Sequence, residues 1–288
     1  MATCITPYML KDPEIAVPCG KCPPCRSRRS TGWAFRMIQQ QKVSNTSFMV
    51  TLTYNSDNIP ITQNGYRTID KTHLQDYFKR LRKHSSIKNY GYGKISYYAC
   101  GEYGTNTKRP HYHVLLYNAH PDNIAAAWKL GGKEIGTIHI APLNMATIQY
   151  AFKYLQKAPT VGKSKQDDRN REFQLFSKGL GSSYLTPAMV AWHKADLKGR
   201  FYCPDLEGKK VAMPRYYKEK LLLHAVEGDL EELELLKYQL SEHFKEKSAE
   251  EYQKLVDEYG ESLPKVLHER RINSFIQMHK KERQNQKL

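Results

Sequence analysis

The first chemistry legible in this 288-residue chain lies in Glu102, His111 and His113. The histidines stand in KRPHYHVLLYN (108–118), and on a strand residues two apart share a face. Their imidazoles would therefore project side by side, with Tyr112 and Val114 on the other face. A hairpin of YGKISYYACGE and HYHVLLY, joined by YGTNTKRP, would set Glu102 across from them. Two imidazoles and a carboxylate can hold a divalent ion while leaving positions open for water or substrate. The same residues also fit two hydrogen-bonded histidines on an ordinary strand. His139 and His193 have no comparable cluster and read as ordinary hydrogen-bonded side chains.

A second group lies in QYAFKYLQK (149–157). Tyr150, Lys153, Tyr154 and Lys157 fall at i, i+3, i+4 and i+7, which is one helix face, while Ile148, Phe152 and Leu155 form an apolar stripe suited to docking on a sheet. Neighbouring ammonium groups lower the cost of forming a phenolate, and they can also neutralise a phosphate or protonate a leaving oxygen. Tyrosines packed at a core edge beside solvated lysines would show the same spacing. The third group is CGKCPPCRSRR, where Cys19, Cys22 and Cys25 at C-x-x-C spacing, with Cys4 as a fourth vertex, suit a tetrahedral structural zinc site. A set of reduced cysteines in a Pro-rich loop is the alternative. Cys100 and Cys203 have no obvious partners. Arg26, Arg28 and Arg29 would be displayed for DNA phosphates, as would Lys108, Arg109 and Lys178.

The elements that must position these groups follow from periodicity. Helices are predicted over 30–42, 72–84, 123–130 and 145–157, and strands over 48–54, 92–102, 111–117 and 136–143. The helix at 72–84 buries Leu74, Phe78 and Leu81 and leaves Lys79, Arg80, Arg82 and Lys83 on its other faces. Asn144 or Thr147 caps the fourth helix. The order α β α β β α β α, with at least one antiparallel pair, predicts an α+β sandwich with helices against one sheet. Residues 160–210 carry few periodic signals. From about Arg215 the chain turns helical and charged, with Leu230, Leu233 and Leu240 in an apolar stripe, and ends basic. The predicted organisation is a Cys-rich segment at 1–30, a central domain at 31–212 and a helical region at 213–288.

Composition narrows the class. Lys and Arg number 45 against 29 Asp and Glu, a net charge of +16, which favours a polyanionic partner. The 20 tyrosines can stack on unpaired bases, although many must pack in the core. No apolar run is long enough for a membrane helix, and MATCITPYML does not read as a signal peptide, so a cytosolic protein with reduced cysteines is expected.

FMVTLTYN, ACGEYGTNTKRPHYHVLLY and YAFKYLQK, in that order, resemble the three motifs of HUH-superfamily rolling-circle replication initiators. The Y-x-x-x-Y-x-x-K spacing is similar to that of microvirus initiators, and VPCGKCPPCRSRRSTGWAFR with FQLFSKGLGSSY resembles the gokushovirus branch. The resemblance covers residues 1–190. It departs at Pro23-Pro24 and in KGLG, which lacks the usual proline. It implies a five-stranded antiparallel sheet, with Glu102, His111 and His113 as ligands of Mg²⁺ or Mn²⁺. Tyr150 and Tyr154 would be alternating nucleophiles that leave a 5′-phosphotyrosine and a free 3′-OH. It further implies origin DNA as substrate, action in the cytoplasm of an infected bacterium, and host helicase and single-strand-binding protein as partners. A non-catalytic single-stranded-DNA-binding protein, a relaxase or transposase of the same superfamily, and a two-histidine-one-carboxylate iron oxygenase are the competing readings.

Overall fold

The computed structural model describes residues 4–11, 14–104, 106–156, 161, 164, 166–204 and 208–285. In chain order the elements are β1 (Tyr8–Lys11), β2 (Glu14–Val17), α1 (Pro23–Lys42), β3 (Ser47–Thr53), α2 (Lys71–Ile87), β4 (Ser96–Tyr103) and β5 (Pro110–Tyr117). There follow α3 (Pro121–Ala126), β6 (Lys129–Leu130), β7 (Lys133–Glu134), β8 (Ile138–Pro142), α4 (Met145–Gln156), β9 (Phe173–Phe176) and α5 (Pro187–Lys194). The chain closes with β10 (Tyr202–Pro204), β11 (Lys210–Ala212), α6 (Arg215–Ala225), α7 (Leu230–Tyr259) and α8 (Leu263–Asn285). Two compact units result, residues 36–183 and residues 1–35 with 184–288, and the division falls within α1.

The 36–183 unit is built on a five-stranded, wholly antiparallel sheet of order β8-β3-β5-β4-β9. This is the α+β class and the sheet the sequence implied. β5 is central and buried on both faces, which is why its later half is a continuous apolar run, Val114 to Tyr117, rather than an alternation. One face packs Val50, Leu52, Tyr112, Val114 and Leu116 against Leu74, Tyr77, Phe78 and Leu81 of α2, with Trp128 completing the core. α2 starts where the Asp70 carboxylate accepts from the Thr72 and His73 backbone N–H groups. Its Lys79, Arg82 and Lys83 are exposed, whereas the Arg80 side chain lies half-buried with Nε donating to the Ala127 carbonyl.

The opposite face carries Glu102, His111 and His113 at one end of the strands and Tyr98 and Tyr117 further along. Residues 36–42 of α1 cover the far end, where the Tyr117 hydroxyl donates to the Met37 carbonyl. α4 covers Tyr98 through Phe152, with ring centroids 5.0 Å apart. The KGLG loop docks on α1: the Arg36 guanidinium donates twice to the Leu180 carbonyl, and a Cβ on Gly181 would overlap the Arg36 carbonyl.

In the other unit, Phe35, Tyr184, Cys203, Met213, Tyr217 and Leu221 form a small core. β1-β2 and β10-β11 are two-stranded hairpins. Among the described residues no helix is long and apolar enough to cross a membrane.

Several boundaries differ from the sequence expectation. α1 begins at Pro23, not near residue 30, so Arg26, Arg28 and Arg29 are helical. A Pro-Pro pair reads as loop punctuation, yet the first helical turn needs no N–H from either residue. The helix expected over 123–130 stops at Ala126, because Gly131 and Gly132, both at positive φ, turn the chain into the β6-β7 hairpin. β9, α5 and β10-β11 fall in the segment with few periodic signals. Leu230, expected in an apolar stripe, is exposed at the first position of α7, while Leu240 is buried.

Candidate active site

Strand pairing assembles the site. β4 and β5 register Glu102 opposite His111 and Cys100 opposite His113, and β3 sets Thr51 opposite His113 from the other side. The connecting turn is closed by the Gly104 N–H donating to the Arg109 carbonyl, with Lys108 at φ 52°. Glu102 and His113 are 6% and 4% exposed. His111 Nε2 lies 2.6 Å and His113 Nε2 3.1 Å from the same oxygen, Glu102 Oε1, and the imidazole rings stand nearly perpendicular.

Tautomers sharpen what this geometry demands. His111 Nδ1 is 3.0 Å from the Arg109 carbonyl, which can only accept, so Nδ1 carries a proton. Its Nε2 then faces a carboxylate oxygen, and a cation must stand between two lone pairs that close. The proton of an imidazolium satisfies the requirement, and so does a metal ion. One donor atom each from Glu102, His111 and His113 lies within 4.8 Å of the other two, so the set fits a divalent ion. Burial pushes the Glu102 carboxyl up, but its hydrogen bonds to both histidines outweigh this, and its pKa is lowered overall.

α4 brings the tyrosine. Asn144 and Thr147 cap it reciprocally: Asn144 Oδ1 accepts from the Thr147 N–H and Thr147 Oγ1 from the Asn144 N–H. Ile148, Ala151 and Phe152 are buried, which leaves Tyr150 39% exposed with its ring edge-on to His113 at a centroid distance of 5.5 Å. Lys153 and Tyr154 lie on the same helix but their side chains are outside the described set, and Lys157 lies outside the described residues.

The other candidate residues occupy varied surroundings. Lys108 and Lys178 are exposed. Arg109 is half-buried, with Nη2 donating to the Tyr54 carbonyl. Arg28 and Arg29 lie on α1 with Arg26, which is half-buried; Arg28 is half-buried as well, and Arg29 is exposed. His193 is fully buried between the Tyr184 hydroxyl and the Arg200 carbonyl, an ordinary hydrogen-bonded histidine as expected. Thr51 escaped the sequence reading: its Oγ1 is 3.1 Å from His113 Nδ1 and orients the ring. Its signal was available, since it faces His113 whenever FMVTLTY pairs with HYHVLLY.

A family profile for the phage replication-associated protein ORF2 and its relatives matches residues 47–159, which run from β3 through α4 and contain every residue of this site. The chain is 26% identical over 235 residues to the replication-associated protein ORF4 of Chlamydia phage 1, covering 74% of this chain and 55% of that protein. By sequence relationship this is a microvirus-like replication protein. It is also 27% identical to the replication-associated protein ORF2 of Spiroplasma virus 4, over 74% of this chain and 69% of that protein. Identity is 24% to the replication-associated protein VP4 of Bdellovibrio phage phiMH2K, over 72% and 67%. The match to the Chlamydia phage protein spans about half of that protein's length. No solved structure matches the chain.

Proposed function

We propose that this replication protein initiates phage rolling-circle replication by nicking and rejoining single-stranded DNA through a tyrosine. The observation that carries the reading is the edge-on approach of Tyr150 to His113, beside a carboxylate and two imidazoles whose donor atoms converge. In the reaction, Tyr150 Oη attacks a backbone phosphorus and forms a Tyr–O–P bond. The P–O3′ bond breaks, its electron pair leaves on O3′ and that oxygen takes up a proton, while the phenolic proton passes to solvent or a neighbouring base. The product is a 5′-phosphotyrosine with a free 3′-OH that can prime synthesis, and the reverse reaction rejoins the strand.

Mg²⁺ or Mn²⁺ bound by Glu102, His111 and His113 supplies charge neutralisation at the scissile phosphate. The chain's own part is preorganisation: Thr51 and the Arg109 carbonyl fix the imidazoles, and the buried stripe of α4 holds the phenol over them. Lys153 and Lys157 are assigned to phosphate neutralisation and leaving-group protonation. Tyr154, one turn from Tyr150, is assigned to the second, alternating cleavage. The net charge of +16 supports a polyanionic substrate.

The test mixes full-length protein with phage origin single strand and Mn²⁺, with and without EDTA, and resolves products under SDS. A covalent adduct that is abolished by EDTA and absent from the Tyr150→Phe/Tyr154→Phe double variant is expected. Persistence of the adduct in that variant overturns the assignment. DNA binding with no adduct in the wild type would identify a non-catalytic binder instead.

A further inference from the structure

The N-terminal cysteines form a cluster that the nicking chemistry does not use. Cys4 precedes β1, Cys19 and Cys22 flank the turn after β2, and Cys25 lies in the first turn of α1. One Sγ from each lies within 4.8 Å of the other three, and all four are free thiols. Cys4 Sγ and Cys22 Sγ are 3.7 Å apart, far beyond a disulfide bond. Four sulfurs at ~2.3 Å from one zinc ion stand ~3.8 Å from each other. A four-iron cluster, with thiolates on the outer corners of a cube, spreads its sulfurs further than this set allows.

The surrounding donors point at the sulfurs. The Cys19 N–H donates to Cys4 Sγ at 3.3 Å, the Lys21 and Cys22 N–H groups donate to Cys19 Sγ at 3.4 and 3.3 Å, and Thr6 Oγ1 donates to the same sulfur at 3.5 Å. Such donors stabilise negative sulfur, the form that binds metal. Gly20, at φ 70°, permits the tight turn that aims these N–H groups inward. Cys22 is buried and the other three half-buried.

We infer that Cys4, Cys19, Cys22 and Cys25 bind one Zn²⁺ in a closed tetrahedral thiolate site that ties the N-terminal hairpin to the start of α1. Four protein ligands leave no position for substrate, so the ion is structural. It fixes where α1 begins, and with it where Arg28 and Arg29 are presented.

The experiment uses full-length protein purified under reducing conditions without chelator. Elemental analysis is expected to find one zinc per chain, retained in the His111→Ala/His113→Ala variant and lost from Cys22→Ser. Should Cys22→Ser fail to fold, wild-type protein stripped of zinc and reconstituted with Co²⁺ provides the second reading. Thiolate-to-cobalt charge transfer and the intense visible bands of tetrahedral Co²⁺ are then expected. Zinc that departs with the histidines, iron in place of zinc, metal-free protein, or bound Co²⁺ without the thiolate band would each overturn the inference.

Discussion

The chain holds two clusters of metal-binding side chains, and they differ in every property that separates a scaffold from a reaction centre. Cys4, Cys19, Cys22 and Cys25 are four soft donors, clustered tightly and surrounded by local N–H groups from a turn. Glu102, His111 and His113 are three harder donors contributed by two strands, with an exposed phenol beside them. The first set is complete without anything from outside. The second has room left over, and its carboxylate and imidazoles face each other in a way that calls for a cation. Closure marks a site that holds the chain together, and incompleteness marks one that takes a substrate.

That comparison can be broken experimentally. Cys22→Ser should have the largest effect, loss of protection across residues 4–35 in hydrogen exchange, since structural zinc contributes on the order of 10 kcal/mol in small domains. Unchanged protection would mean the cluster is not a scaffold. His113→Ala should cut adduct yield beyond the ~10–100-fold typical of removing an outer partner, with zinc content and thermal stability near wild type. Thr51→Val, which removes only the partner of His113 Nδ1, should cost ~10-fold in adduct rate and leave DNA affinity alone.

His193 serves as the internal control among the histidines. Burial lowers its pKa, and the hydrogen bond with the Arg200 carbonyl only partly offsets this. Its neutral form therefore contributes stability that is complete above pH ~6.5 and is lost as pH falls through the lowered folded value. Thermal unfolding between pH 7.5 and 5.5 should show this loss, at most ~1.4 kcal/mol per pH unit, and His193→Gln should flatten it. The smallest effect is expected from Arg28→Ala/Arg29→Ala: weaker single-strand binding at low salt, with the log–log salt slope shallower by ~0.7 for each phosphate no longer neutralised.

Much of the reaction centre was legible from residue spacing. His-x-His on a strand has a period of two, a Gly/Asn/Pro connection makes a hairpin, and Glu102 follows by register. α4 was legible from its apolar stripe, and the basic face of α2 from the spacing of Leu74, Phe78 and Leu81. What escaped were elements whose signals are short or doubly meaning. Phe173–Phe176 is a four-residue edge strand with little room for alternation. Pro23-Pro24 opens a helix in the same letters that would break one. The arginines were readable as basic and not as helical for that reason.

By itself the sequence determined which side chains share a face, because periodicity is local: His111 with His113, Tyr150 with Tyr154, and Cys19, Cys22 and Cys25 within reach of one ion. Only the tertiary structure decided which of those faces meet. It turned Tyr150 toward His113, set Thr51 behind the imidazole, used the Arg109 carbonyl instead of its charge to orient His111, and carried Cys4 back to the other three cysteines. The reason is that such meetings depend on strand register and on one element packing against another, and these link residues far apart in the chain, beyond the reach of local spacing.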